Sequence, residues 1–167
     1  MASRDRPPGA CRTSAGSTDA TNPTRPVILG GGRWNSIDGL ETLVLPKDDC
    51  NLIATVHYYT PMEFTHQGAP WNKENKDKSG VPWTGTDQER RRIELDFAKA
   101  QQWAVEHDRP LLLGEFGAYD KADMDSRARY TAAVARTDAA PRALRRQAAA
   151  ASPSRGAACA RRRATAS

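Results

Sequence analysis

The chain has 167 residues, enough for about one domain, and its formal net charge at pH 7 is +5. The charge is uneven: residues 136–167 hold eight Arg and one Asp, a net of +7, whereas residues 1–135 carry a net of −2. The near-neutral body argues against a nucleic-acid partner outside the tail. No apolar run is long enough to span a bilayer, and the three Cys lack the spacing of a metal site or disulfide framework.

Two flanking segments differ in composition from the centre. Residues 1–24 are rich in Pro, Gly, Ser and Thr, and residues 137–167 are rich in Ala and Arg. Such segments bury too little apolar surface to offset the entropy of ordering, so we expect no fixed structure in either. All Trp, Phe and Tyr residues lie between Trp34 and Tyr130. We therefore place the foldable domain at residues 25–136, and no secretory signal is visible before it.

The first half of this domain alternates apolar runs with a short amphipathic stretch. Residues 25–32 and 51–59 are apolar, β-branched or aromatic runs that predict two strands. Residues 37–45 predict a short helix. Four of its apolar side chains are expected on one side: Ile37, Leu40, Leu43 and Val44.

The second half begins with a long loop rich in Pro and Gly. Thr86 followed by Glu89 predicts a capping box that starts a helix extending to about His107. The buried side of that helix is expected to hold Ile93, Phe97, Ala100 and Ala104. Pro110 then begins a third strand, and a last helix begins near Ser126.

Three apolar strands that alternate with helices predict an α/β fold with a parallel sheet. The pattern does not separate a barrel from an open sheet. A closed barrel of this type needs eight strands, so three strands are too few to close one.

Sites in parallel α/β folds lie at the carboxyl ends of the strands. The first predicted strand ends at Gly30–Trp34, the second at His57–Tyr59 and the third at Glu115. We expect these groups to share one edge of the sheet, where they would form a common site.

Each of these features also has a structural explanation. Glu115 could equally cap the next helix or pair with an arginine. His57 could be a hydrogen-bonded histidine of the core. The glycines at 30–32 lack the GxGxxG spacing of a nucleotide-binding loop. Trp71 and Trp83 fit either core positions or a platform on which a sugar stacks.

Two segments together carry a resemblance to a known family. The sequence "VHYYTPMEFTHQGAPW" followed by "PLLLGEFGAYD" resembles the C-terminal half of a glycoside hydrolase family 5 enzyme of the bacterial cellulase or endoglucanase type. The resemblance covers residues 25–134. It implies a fragment of a (β/α)8 TIM barrel with three βα units, the fifth to the seventh, and cleavage of β-glycosidic bonds with retention of configuration.

The resemblance also implies roles for individual residues. Glu115 would be the nucleophile at the end of the seventh strand. His57 and Tyr59 would lie beside it at the end of the sixth, with the Tyr59 hydroxyl close enough to hydrogen-bond the carboxylate. Four further side chains would border the substrate cleft: Trp34, His66, Gln67 and Trp71.

The sequence departs from the family at the second carboxylate. The family's acid/base glutamate lies in an Asn-Glu-Pro motif, which these 167 residues do not contain, and Glu74 lies in a loop rather than at a strand end. We therefore expect little turnover from these residues alone. The resemblance implies a β-glucan partner, no cofactor or metal and no membrane, while the family is usually secreted.

Two other functions stay open from the sequence. The first is a half-barrel that binds β-glucan without cleaving it, through Trp34, Tyr59 and Trp71. The second is binding of nucleic acid or another polyanion by the Arg-rich tail. Which β-glycan is bound is not decided by the sequence.

Overall fold

The structure, a computed structural model, describes residues 25–46, 49 and 51–151. Its sheet has three strands: β1 (Val27–Gly30), β2 (Leu52–Tyr58) and β3 (Leu111–Phe116). The helices are α1 (Met62–Thr65), α2 (Asp87–Glu106) and α3 (Met124–Ala151), with a 3₁₀ helix at Ile37–Thr42. All three predicted strands are therefore confirmed.

The strands are parallel, in the order β1-β2-β3, with β2 in the centre. Val27 pairs with Leu52, and Ala54 pairs with Leu111. Because the strands are parallel, their carboxyl ends lie at one edge of the sheet. The α/β class predicted from the alternating pattern is confirmed.

A β-bulge at Gly114 interrupts the pairing of β2 with β3. Val56 pairs with Leu113, but His57 pairs with Glu115, so Gly114 has no partner in the register. Side chains alternate between the two faces of a strand, and one extra residue reverses that alternation. Glu115 therefore leaves the face of Leu113 and joins the face of His57.

The helices cover one face of the sheet. Ala54, Val56 and Tyr58 of β2 are buried there, with Leu113 and Phe116 of β3 packed against the same core. Helices α2 and α3 contribute the following buried side chains: Ile93, Phe97, Ala100, Trp103, Ala104, Tyr130, Ala133 and Val134. The four residues predicted for α2 are confirmed, and Trp103 is an addition.

Helix α2 begins with the predicted capping box. The Thr86 hydroxyl accepts from the Glu89 amide, and the Glu89 carboxylate accepts from the Thr86 amide. The helix ends at Glu106, with His107 as its C-cap residue. This end agrees with the prediction of about His107.

The prediction for residues 37–45 is partly wrong. Ile37, Leu40 and Leu43 are buried, but Val44 is 68% exposed. The 3₁₀ helix ends at Thr42 and Leu43 has extended backbone angles. Because side chains of an extended segment alternate, Val44 lies on the side opposite Leu43.

Helix α3 continues to Ala151, beyond the domain boundary placed at residue 136. The residues added are rich in Ala, which has the highest helix propensity. The predictions for residues 1–24 and for 152–167 fall outside the described residues. Within the described ranges, no helix has the length and apolar character that crossing a membrane requires.

Candidate active site

At the carboxyl edge of the sheet, Glu115 contacts two side chains. One is His57 of β2, and the other is Tyr59, the residue that follows β2. The Tyr59 hydroxyl donates to Glu115 Oε2 at 3.2 Å. His57 Nδ1 lies 3.2 Å from the same oxygen. The Glu115 side chain is more than half exposed, whereas that of His57 is mostly buried. The carboxylate is thus exposed to solvent, and its Oε2 atom contacts both His57 and Tyr59.

Tyr59 is a hydrogen-bond donor at neutral pH. Burial raises the pKa of the Tyr59 hydroxyl, and the charge of Glu115 and the hydrogen bond to it raise that pKa further. A neutral phenol that donates to a carboxylate favours the carboxylate's charged form. Tyr59 therefore keeps its proton and holds Glu115 Oε2 as a hydrogen-bond donor.

His66 lies beside Tyr59, with the two rings edge to face at 5.1 Å. The Thr65 hydroxyl donates its one proton to the Tyr59 carbonyl at 2.6 Å. His66 Nδ1, 2.9 Å from the same hydroxyl oxygen, must then be the donor in that contact. Burial lowers the pKa of His66, so its neutral form presents Nε2 as an acceptor.

Two tryptophans are exposed in this region, Trp34 at 92% and Trp71 at 64%. The Trp71 ring packs edge to face on Tyr119, with 4.8 Å between ring centroids. The Tyr119 amide donates to the Thr65 carbonyl at 2.7 Å, which ties Tyr119 to the loop that carries His66. Sequence reasoning missed Tyr119, because its role comes from a contact across two loops.

Trp83 differs from Trp71, although the same loop carries both. It is 1% exposed and packs edge to face on Tyr130. Of the two explanations that the sequence left open, Trp83 is a core residue, whereas the exposed Trp71 is free to contact a ligand.

Gln67 does not lie in the cleft, contrary to the sequence prediction. Its side chain is 0% exposed. Its amide nitrogen donates to the carbonyls of Phe64 and Val81, and its amide oxygen accepts from the Val81 amide. Gln67 therefore satisfies the buried backbone of the loop, and its donors and acceptor are directed at protein groups.

Sequence reasoning also missed Asn35 and Gly114. Asn35 Nδ2 lies 3.4 Å from His57 Nε2. A Cβ added at Gly114 would lie 2.6 Å from Thr55 Oγ1 and 3.3 Å from the His57 ring. Glycine is thus required where β3 passes His57. Across the described part of the chain, no group of three or more His, Cys, Asp or Glu is placed to hold a metal ion.

The sequence matches known proteins over most of the described region. A family model described as Cellulase (glycosyl hydrolase family 5) matches residues 19–143. Endoglucanase H of Acetivibrio thermocellus is 40% identical over 110 residues, which are 66% of this chain and 11% of that protein. Cellodextrinase A of Ruminococcus flavefaciens is 29% identical over 56% of this chain and 28% of its own length.

Solved structures are similar in fold as well. A hyperthermophilic endo-β-1,4-glucanase in complex with substrate superposes with a TM-score of 0.70 and 42% identity, over 74% of this chain and 39% of that one. Thermotoga maritima Cel5A in complex with mannotriose superposes with a TM-score of 0.66 and 40% sequence identity. The match covers 69% of this chain and 37% of that one. The chain thus spans less than half the length of these relatives, and its three βα units are part of a TIM barrel.

Proposed function

Because the chain belongs to glycosyl hydrolase family 5, the cellulase family, we propose that it carries the nucleophile side of a retaining β-1,4-glucanase site. Glu115 is the nucleophile, and His57 and Tyr59 hold it. One observation carries the proposal: both side chains contact Oε2 of an exposed carboxylate at 3.2 Å, at the carboxyl edge of a parallel sheet.

The contacts of His57 and Tyr59 assign different roles to the two carboxylate oxygens of Glu115. Oε2 is held by two hydrogen-bonding groups, so Oε1 is the oxygen that attacks the anomeric carbon. A bond forms between Oε1 and that carbon while the glycosidic bond breaks, and the leaving oxygen takes a proton from a second carboxylic acid. Water then hydrolyses the glycosyl ester and regenerates Glu115.

The exposed aromatic rings support a carbohydrate substrate. Trp34 and Trp71 present apolar ring faces on which a pyranose packs, and Tyr119 braces Trp71. His66 offers an acceptor nitrogen beside Tyr59. The similar Thermotoga maritima enzyme has been crystallised with cellobiose and with mannotriose. We propose a β-1,4-linked glucan as the substrate class for this chain.

The 167 residues contain no Asn-Glu-Pro motif, so the test must not depend on a second carboxylic acid. General acid catalysis contributes about 10²–10⁴ in rate, and this contribution is not needed when the leaving group is a stable anion such as dinitrophenolate. The 167-residue chain should therefore be tested on the first half-reaction, in which Glu115 alone forms a covalent bond.

The experiment incubates the chain with 2,4-dinitrophenyl 2-deoxy-2-fluoro-β-cellobioside. We expect about one equivalent of dinitrophenolate, an intact mass increased by one fluorocellobiosyl group, and the label on Glu115 after peptide mapping. Glu115→Gln should abolish labelling. Glu74→Gln, the same change at an exposed loop carboxylate, should leave it intact. No label on the wild-type chain, or equal labelling of Glu115→Gln, would refute the proposal.

A second candidate is β-glucan binding without cleavage, which the exposure of Trp34 and Trp71 favours. Affinity electrophoresis in a β-glucan gel separates the two functions. Retardation that Trp71→Ala reverses, together with no covalent label, would support binding alone. The proposed polyanion binding by the Arg-rich tail falls largely outside the described residues and stays a prediction.

A further inference from the structure

The turn after β1 has an unusual backbone. Arg33, Trp34 and Asn35 all have left-handed angles, with φ of 54°, 54° and 60°. Only Gly, and to a lesser extent Asn and Asp, adopts this conformation readily, and then as single residues. Runs of unfavourable backbone angles persist where the surrounding structure requires them, and they cluster at functional sites.

This turn directs two neighbouring side chains to different places. Trp34 faces solvent, while the Asn35 carboxamide lies against β1 and reaches His57. A Cβ added at Gly30 would lie 1.9 Å from Asn35 Oδ1. The carboxamide therefore occupies the space that any side chain at position 30 would need. Asn35 Nδ2 faces His57 Nε2 at 3.4 Å.

The two contacts of the His57 ring determine where its proton lies. An ionised carboxylate only accepts hydrogen bonds, so the contact with Glu115 Oε2 requires a proton on His57 Nδ1. In neutral imidazole the other nitrogen is then an acceptor. A carboxamide nitrogen is a donor, so Asn35 Nδ2 matches this tautomer and opposes the one with the proton on Nε2.

We propose that Asn35 is a positioning residue that fixes the Nδ1–H tautomer of His57, and thereby directs the His57 donor at Glu115. The role of Glu115 rests on the function proposed above, whereas the tautomer of His57 does not. Without the Asn35 donor the His57 proton is free to move to Nε2, which would leave Nδ1 with a lone pair facing the carboxylate.

Nitrogen NMR of the histidine rings tests the tautomer directly. The sequence has three His, so long-range ¹H–¹⁵N spectra of the labelled chain contain three ring systems, and His57→Gln assigns one of them. The wild-type spectrum should show His57 protonated at Nδ1 and unprotonated at Nε2. The signals of His66 and His107 report in every variant that the rest of the fold is intact.

Three variants change the contact in different ways. Asn35→Asp keeps the size and the left-handed preference but replaces the donor with an acceptor, so the proton should appear on Nε2. Asn35→Gly keeps the backbone and removes the carboxamide, so a tautomer mixture is expected. Gly30→Ala alters neither residue but displaces the carboxamide, and should resemble Asn35→Gly. If Asn35→Asp does not fold, the other two variants decide.

The outcomes separate this inference from the proposed function. An Nε2–H tautomer in the wild-type chain, or His57 signals unchanged in Asn35→Asp and Gly30→Ala, overturns the role of Asn35. Fluorocellobiosyl labelling of Glu115 that is slower in Asn35→Asp supports the link to the nucleophile, and labelling at the wild-type rate overturns that link. If wild type has the Nδ1–H tautomer but is not labelled, the glycosidase proposal fails while the tautomer assignment stands.

Discussion

The two faces of the central strand β2 carry different kinds of side chain. The helix-covered face holds Ala54, Val56 and Tyr58, which are buried against α2 and α3. The site face holds Thr55 and His57, with Glu115 joining from β3. Alternation along one strand therefore separates the residues packed in the core from those on the face of the proposed site. Position 115 changes sides only because Gly114 forms a bulge.

Polar groups on the two faces are satisfied differently. On the helix-covered face the Tyr58 hydroxyl donates to Asp96 at 2.9 Å, and Tyr130 donates to backbone carbonyls. Burial, and then the charge of Asp96, raise the pKa of Tyr58. On the site face His57 and Tyr59 instead converge on one exposed carboxylate. The polar groups on the helix-covered face hydrogen-bond to one another or to the backbone within the core. Those on the site face leave Glu115 exposed to solvent.

The two tryptophans of the long loop give the strongest test of this difference. Trp83→Ala removes a ring that is packed on Tyr130, and should lower the free energy of unfolding by about 3–5 kcal/mol. Trp71→Ala removes an exposed ring and should change that free energy by about 0.5 kcal/mol or less. Urea unfolding followed by circular dichroism measures both.

Glucan affinity should respond in the opposite order. In conditions where both variants are folded, Trp71→Ala should lose retardation in a β-glucan gel and Trp83→Ala should keep it. If Trp71→Ala were as destabilising as Trp83→Ala, the assignment of Trp71 to the ligand side of the loop would be wrong.

The bulge is tested by Gly114→Ala. The new Cβ would lie 2.6 Å from Thr55 Oγ1, and Thr55 cannot rotate freely because its hydroxyl donates to the Leu112 carbonyl at 3.1 Å. Overpacking of this kind costs about 1–3 kcal/mol. We also expect slower labelling of Glu115, because β3 must move away from His57.

Matched variants identify the clash. Thr55→Ala in the Gly114→Ala background should restore part of the lost stability, since it removes the atom that the new Cβ meets. Gly32→Ala places its Cβ 3.4 Å from Thr42 Oγ1, an ordinary contact, and should change the free energy of unfolding by about 0.5 kcal/mol or less. A Gly114→Ala chain with wild-type stability and labelling would show that the bulge does not require glycine.

The sequence predicted what depends on local pattern. The three strands and the capping box follow from residue type and spacing, and the shared strand edge explains why Glu115 meets His57 and Tyr59. The bulge did not follow, because strict alternation would have placed Glu115 with Leu113 on the helix-covered face.

For the residues that the sequence prediction misplaced or missed, the position is set by the local backbone conformation and by contacts distant in the sequence. Gln67 belongs to a motif expected at the cleft, yet buried backbone carbonyls hold its amide. Asn35 reaches His57 through a left-handed turn that propensities disfavour for Arg33 and Trp34, two of its three residues. Val44 departs from the predicted helix because that helix ends at Thr42.

The smallest predicted effect concerns α2, which covers the sheet but is remote from the site face. Thr86→Ala removes the capping hydroxyl and should cost about 1 kcal/mol at neutral pH. Thr86→Ser retains a capping hydroxyl and should cost less. Labelling of Glu115 should be unchanged in both variants, because the capping box supports only the helix-covered face.

The capping box should also make stability depend on pH. Burial tends to raise the pKa of Glu89, but hydrogen bonds from Thr86 and Thr84 outweigh it and hold that pKa below its ordinary value of 4.5. A carboxyl group whose pKa is lower in the folded state stabilises the fold above 4.5, and this stabilisation is lost as the pH falls through the folded-state pKa. Glu89→Gln should therefore flatten the acid side of a urea-unfolding profile measured from pH 7 downwards. An unchanged profile would mean that other carboxylates account for the acid sensitivity, and that the hydrogen bonds around Glu89 add nothing to the stability of the helix-covered face.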